Sequence, residues 1–85
     1  MKNIFLAAGF GIASTLAFAG PVNINTADAK TLSKELVGVG MAKAERIVKY
    51  RAEKGPFQIA EDLKKVQGIG DATFEHNKTN IRIKD

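Results

Sequence analysis

The stretch LVGVGMAKAERIV, residues 36–48, sets two glycines one residue apart just before a run with helical apolar spacing, and VQGIGDATFEHN, residues 66–77, repeats the arrangement thirty positions later (66 − 36). Laying 36–45 on 66–75 pairs Gly38 with Gly68, Gly40 with Gly70, Ala42 with Ala72 and Glu45 with Glu75, with Val39 opposite Ile69 and Leu36 opposite Val66. In each copy the first glycine ends a helix, where left-handed backbone costs glycine little, and the second lets the chain approach something closely before the next helix begins. The apolar residue between them turns inward and pins the turn. What stays outside is mostly backbone: amides of the turn and of the next helix start, which together attract anions, phosphate above all. For a single copy the plainer reading, glycine as a helix stop and nothing more, stands beside this one. Capping alone needs only one glycine per turn, so two copies in register favour a binding role. Side by side, two such sites span both strands across a minor groove, and phosphate contacts carry no base information directly.

Outward from these turns the chain reads as helices. Asn25 and Asp28 stand at the spacing of a helix start, with Asn25 as the cap, and a first helix follows to about Leu36 with Ala29, Leu32 and Leu36 on one face. The second, about Met41 to Lys54, buries Ala44, Ile47 and Val48 and stops at Gly55-Pro56. Arg51 falls on the same stripe and is expected to pack its stem and pair its head with Glu61 or Asp62. Phe57 and Ile59 cross the core, a third short helix over 60–66 turns Leu63 and Val66 inward, and a fourth over about 71–78 is anchored by Phe74. NIRIKD, residues 80–85, is an extended tail whose Ile81 and Ile83 close the core. The fold expected is all-α: about five short helices in two helix-turn-helix units with pseudo-two-fold symmetry.

The N-terminus, MKNIFLAAGFGIASTLAFAGP, has the order of a signal peptide: a positive start, an apolar middle and a small-x-small site at Ala17-Phe18-Ala19. Residues 1–19 are therefore expected to be the signal segment and 20–85 the domain, although an uncleaved anchor stays open because Pro21 lies close behind the cut. The fifteen positions from Ile4 to Phe18 are short of the about 20 residues that a span requires. Cleavage leaves 85 − 19 = 66 residues, one small domain with no cysteine, so helix packing and not disulfides must supply stability. Without Lys2 the basic count is 13 − 1 = 12 against 9 acids, a net of +3, too mild to establish a polyanion partner alone.

Here the residues resemble a known family. LVGVGMAKA and VQGIGDATF look like the two motifs of a tandem helix-hairpin-helix domain, and the order VNINTA, GVG, YRAEKGPF, EDL, GIG is similar to that of ComEA-type competence proteins. The resemblance covers Val22 to about Ile83. It implies periplasmic binding of double-stranded DNA during natural transformation, with retention of incoming DNA as a ratchet and contact with the uptake machinery. By position it implies backbone contacts at Gly38, Gly40, Met41, Ala42 and Lys43, and at Gly68, Gly70, Ala72 and Thr73, with Val39 and Ile69 between the glycines counted among the DNA-binding residues. The second site is expected to be weaker, since Thr73 replaces Lys43 and Asp71 brings a negative charge. Lys43, Tyr50 and Lys54 share a side of the second helix with Arg46 beside them; Arg46, Lys49 and Lys54 are either auxiliary basic contacts or a solvated face with Glu45 and Glu53 interspersed. Three residues depart from the family pattern: Ile59 at a helix cap, Asn77 at a core position and His76 where a lysine is common.

Catalysis is not expected. A single histidine, no cysteine and an adjacent Glu61-Asp62 pair offer neither a nucleophile with its base nor converging acids, and neither metal nor other cofactor is implied. Once the signal is removed, no stable membrane insertion is expected, and no mature helix combines the strong apolar and dense basic faces that a membrane-surface role requires. The rival function is a small helical protein-interaction module of the cell envelope that leaves DNA untouched.

Overall fold

The computed structural model describes residues 21–85; the expected signal segment lies outside the described residues. The chain begins with a two-residue strand, β1 (Val22–Asn23), followed by helices α1 (Ala29–Glu35) and α2 (Met41–Lys54). A 3₁₀ segment (Ala60–Lys65), helix α3 (Asp71–Asn77), a single 3₁₀ turn (Lys78–Asn80) and strand β2 (Ile81–Arg82) complete it. The domain is a small all-helical fold in which the extended ends meet: β1 and β2 pair in parallel, Val22 with Ile81 and Asn23 with Arg82. The tail was expected to be extended; its partner was not legible, because sixty residues separate the two strands.

The cap of helix α1 lies three residues later than expected. Asp28, not Asn25, accepts the Thr31 amide at 2.8 Å. Asn25 is drawn elsewhere: its Oδ1 accepts the Phe57 amide at 2.7 Å, while its Nδ2 donates to the carbonyls of Phe57 at 3.0 Å and Ile83 at 2.8 Å. Three chain segments are thereby tied at one side chain. Arg51 likewise does not reach Glu61 or Asp62; its Nη1 donates to the Ile24 carbonyl at 2.9 Å, so the lead is bound to α2.

At seven residues α1 is too short to persist alone, and burial of Leu32 against α2 holds it. The core gathers Ala44 and Ile47 of α2, Leu63, Phe74 and Phe57, with Val48 half-buried at its edge and Tyr50 stacked on Phe57 at 5.4 Å between ring centroids. Gly55, at φ +94°, ends α2 where Gly55-Pro56 was expected to stop it. Ile59 starts the 3₁₀ segment with no side-chain cap, and the Asp62 carboxylate instead accepts the Gln58 amide at 3.2 Å.

Asn77 occupies the core position that Ile47 holds one repeat earlier and is 1% exposed, yet all its polar capacity toward the core is used. Its Oδ1 accepts the Val37 amide at 2.7 Å, and its Nδ2 donates to the carbonyls of Val37 at 2.9 Å and Thr73 at 2.8 Å. A residue expected to weaken the core is a polar clamp that fastens the first turn to α3. Truncating it leaves the Val37 peptide without its partner, so Asn77→Ala is expected to lower unfolding free energy by about 2 to 3 kcal/mol. Urea denaturation measures this, and a loss below about 0.5 kcal/mol would show that the clamp contributes nothing.

Candidate nucleic-acid interface

The two glycine turns repeat in structure as well as in sequence. The order of buried and exposed residues over 36–47 recurs position for position over 66–77. Gly38 and Gly68 lie at φ +77° and +97°, backbone that only glycine adopts without strain. Val39 and Ile69 are 2% and 3% exposed, and their amides bond back to Leu36 and Val66. These two residues shape the turns from inside; neither side chain reaches the surface. The flanking helices do not repeat: a seven-residue α-helix leads into the first turn and a 3₁₀ segment into the second, and α2 has 14 residues against seven for α3.

The second glycines tell a different story. Gly40 and Gly70 have φ of −80° and −105°, ordinary extended backbone, and a Cβ built on either would meet nothing within 4 Å. Neither the fold nor the turn requires glycine there. Each is the N-cap of its helix, contributing only its carbonyl to Ala44 or Phe74 and no side chain. The amides of Met41, Ala42 and Lys43 therefore point out of α2 with no acceptor among the described residues. Helix α1 makes the contrast: there the Asp28 carboxylate, held below its ordinary pKa first by the Thr31 amide bond, already fills the site. An open start beside a closed one marks α2 as the anion-attracting end.

Lys43 stands differently from what the sequence suggested. It was expected beside the first amide site alone, but its Cγ and Cε lie 3.5 and 3.7 Å from where a Gly68 Cβ would stand. Its stem thus bridges the two turns. Arg46 joins it there, with Nη1 at 3.0 Å from the same point and 3.5 Å from the Gln67 carbonyl. Glycine at 68 accordingly meets two demands, a positive φ and the passage of two basic side chains. Arg46 and Lys49 also line a shallow cavity of about 270 Å³ with Tyr50, Glu53, Val66 and Gln67. Lys54 is not brought to the turns: it ends the helix that Met41 begins, about 20 Å along the axis. Tyr50, stacked and half-buried, offers no free ridge between them.

At the second turn, the amides of Asp71, Ala72 and Thr73 are also free of acceptors among the described residues, but α3 is short and Asp71 places a carboxylate at its first position. Lys64, which the sequence reading passed over, offsets that charge: its Nζ is 3.5 Å from Asp71 Oδ1 and 5.4 Å from the Phe74 ring centroid. Its only sequence signal was a position on the solvent face of the third helical segment. Val37, exposed just before the first glycine, was also missed. His76 is exposed, and no group of metal-binding side chains occurs among the described residues.

Two inward-pinned glycine turns, each opening a helix on bare amides, define a tandem helix-hairpin-helix domain. The helix-hairpin-helix motif family matches residues 18–82, and the chain belongs to that family. It is 51% identical over 63 residues to ComE operon protein 1 of Bacillus subtilis, across 74% of this chain and 30% of that protein. It is 53% identical over 60 residues to an uncharacterised protein of Haemophilus influenzae, across 71% of this chain and 54% of that protein. A more distant relative, S1 RNA-binding domain-containing protein 1 of Homo sapiens, is 35% identical over 68 residues, or 80% of this chain and 7% of that protein. The matched segment thus spans about half and under a third of the two bacterial relatives. The ComEA-like resemblance read from the sequence is borne out, and the family supports a general role in binding DNA. Family and residue complement, with no cysteine in the chain, are consistent with a binding module rather than an enzyme.

The two glycines of a turn separate by substitution. Gly38→Ala, forced to positive φ, is expected to cost about 1 to 2 kcal/mol, whereas Gly40→Ala should change stability by less than about 0.5 kcal/mol, its cap and chain-entropy effects nearly cancelling. Thermal melts of the two variants check this; equal losses would mean that the second glycine is structural after all.

Proposed function

We propose that the domain binds double-stranded DNA through its phosphates without reading sequence, and that it does so in the periplasm, retaining DNA taken up during natural transformation. One observation carries the binding half: Gly40 is glycine without any need of the fold, beside three open amides and Lys43. A position that leaves a Cβ unhindered in the free protein, yet carries none, fits a partner whose backbone comes close. The first hairpin supplies the principal contact, Gly38 through Lys43, and the second a lesser one through Gly70, Ala72 and Thr73, with Lys43 and Arg46 between them. A duplex suits this better than a single strand. Single-strand binders stack bases on exposed aromatics, whereas Phe57 and Phe74 are buried here and Tyr50 is occupied by Phe57.

The setting rests on the signal-like order of residues 1–19 and on the similarity to a protein of the ComE operon. No helix among the described residues is long and apolar enough to cross a membrane. About three or four phosphate contacts per molecule give a salt slope near −3 and micromolar nonspecific affinity. Single molecules then hold DNA weakly, and an array of them along an incoming strand opposes its return through the outer pore. Components of the uptake machinery are the protein partners this role calls for.

Fluorescence anisotropy of the 20–85 chain with random-sequence duplex tests the reading. Binding should weaken steeply with salt, fall at least tenfold in Lys43→Glu, and fall several-fold in Gly40→Ala despite its intact fold. A folded domain that binds no duplex at low salt would overturn the proposal in favour of a protein-interaction module.

A further inference from the structure

The tips of the two hairpins differ in one respect that phosphate binding leaves unexplained. Val37 and Met41, which flank the first glycine pair, are 64% and 48% exposed, while Gln67 and Asp71 stand at the same places in the second turn. An exposed apolar residue by itself is ordinary. These two, however, bracket the turn whose amides are open. Nor is Val37 loosely held: both polar groups of its peptide are fastened to the buried Asn77, at 2.7 and 2.9 Å. The clamp fixes the backbone so that the isopropyl group is presented outward. Met41 contributes the first open amide of α2 and is itself about half exposed.

We infer that Val37 and Met41 rest on the sugars of a DNA minor groove and make the first hairpin select deoxyribose over ribose. The inference rests on the duplex-binding reading above. Groove-facing deoxyribose presents C–H groups with only the weakly accepting ring oxygen among them, and two apolar side chains cover it at little cost. In an RNA duplex the same groove displays 2′-hydroxyls. Seating Val37 and Met41 there strips water from hydroxyls that neither side chain can hydrogen-bond, which is unfavourable. Gln67 and Asp71 impose no such penalty, so the discrimination belongs to the first hairpin alone. The two hairpins then divide the work: the second adds phosphate contact, and the first adds the choice of sugar.

The test compares DNA and RNA duplexes of identical sequence by anisotropy, using the 20–85 chain and the double variant Val37→Gln, Met41→Gln. Both positions are exposed and both changes are uncharged, so the fold should persist. Because Met41 belongs to the contact itself, the readout is the ratio of DNA to RNA affinity, which a general loss of binding leaves unmoved. The unaltered chain should favour DNA by about tenfold, and the double variant should narrow that ratio at least threefold. Equal binding of both duplexes by the unaltered chain overturns the inference while leaving duplex binding intact. A preference that survives in the double variant also overturns it, assigning discrimination to helix geometry instead. Binding of neither duplex removes the DNA reading and this inference together.

Discussion

Burial of one apolar side chain between two glycines, Val39 in the first turn and Ile69 in the second, is the interaction on which the rest depends. Drawing that side chain into the core turns its neighbours' peptides outward, and it requires the preceding glycine to take a positive φ. Removing a Val or Ile from water stabilises by about 1.5 to 3 kcal/mol, enough to hold a tight turn against its conformational entropy. The exposed amides at the start of α2 are the geometric consequence. In the proposed role, function follows from backbone that the core has aimed, and side chains refine it.

So small a domain, described over residues 21–85 and without cysteine, must hold such turns by other means. Asparagine side chains serve as internal ties. Asn25 pairs with both polar groups of Phe57 and Asn77 with both of Val37, each adding a bond to a second carbonyl elsewhere. An amide side chain can match a peptide in this way because it carries the same donor and acceptor. Asn80, donating to the Glu35 carbonyl at 2.7 Å, finishes α1 by the same chemistry. The hairpins also brace one another: Asn77 from the second unit holds the peptide at 37, and Arg46 from the first approaches the carbonyl at 67.

What the sequence revealed was what is local or repeated. The glycine turns, the stripe of Ala44 and Ile47, the Gly55 stop and the inward Phe74 all follow from spacing within a dozen residues. Polar side chains that act across the chain were misjudged for the same reason. Asn25 has the look of a helix cap because its partners, Phe57 and Ile83, are 32 and 58 positions away. Asn77 looks like a defect because nothing near it in sequence announces Val37. Arg51 was assigned to nearby carboxylates, yet a carbonyl of the lead lies closer in space. Around the turns, the inward Val39 and the positive φ of Gly38 follow from the pattern, but not which glycine the fold could spare, nor that Lys43 leans across to the other turn.

In the proposed binding mode a phosphate backbone sits at the open start of α2. Amide chemical shifts of the isotopically labelled domain, followed as short duplex DNA is added, test it most directly. The largest changes should fall on Gly40, Met41, Ala42 and Lys43, with smaller ones at residues 70–73 and none at the Asp28-capped start of α1. Changes centred on Ile59 and the 3₁₀ segment, with the α2 amides unmoved, would contradict the account.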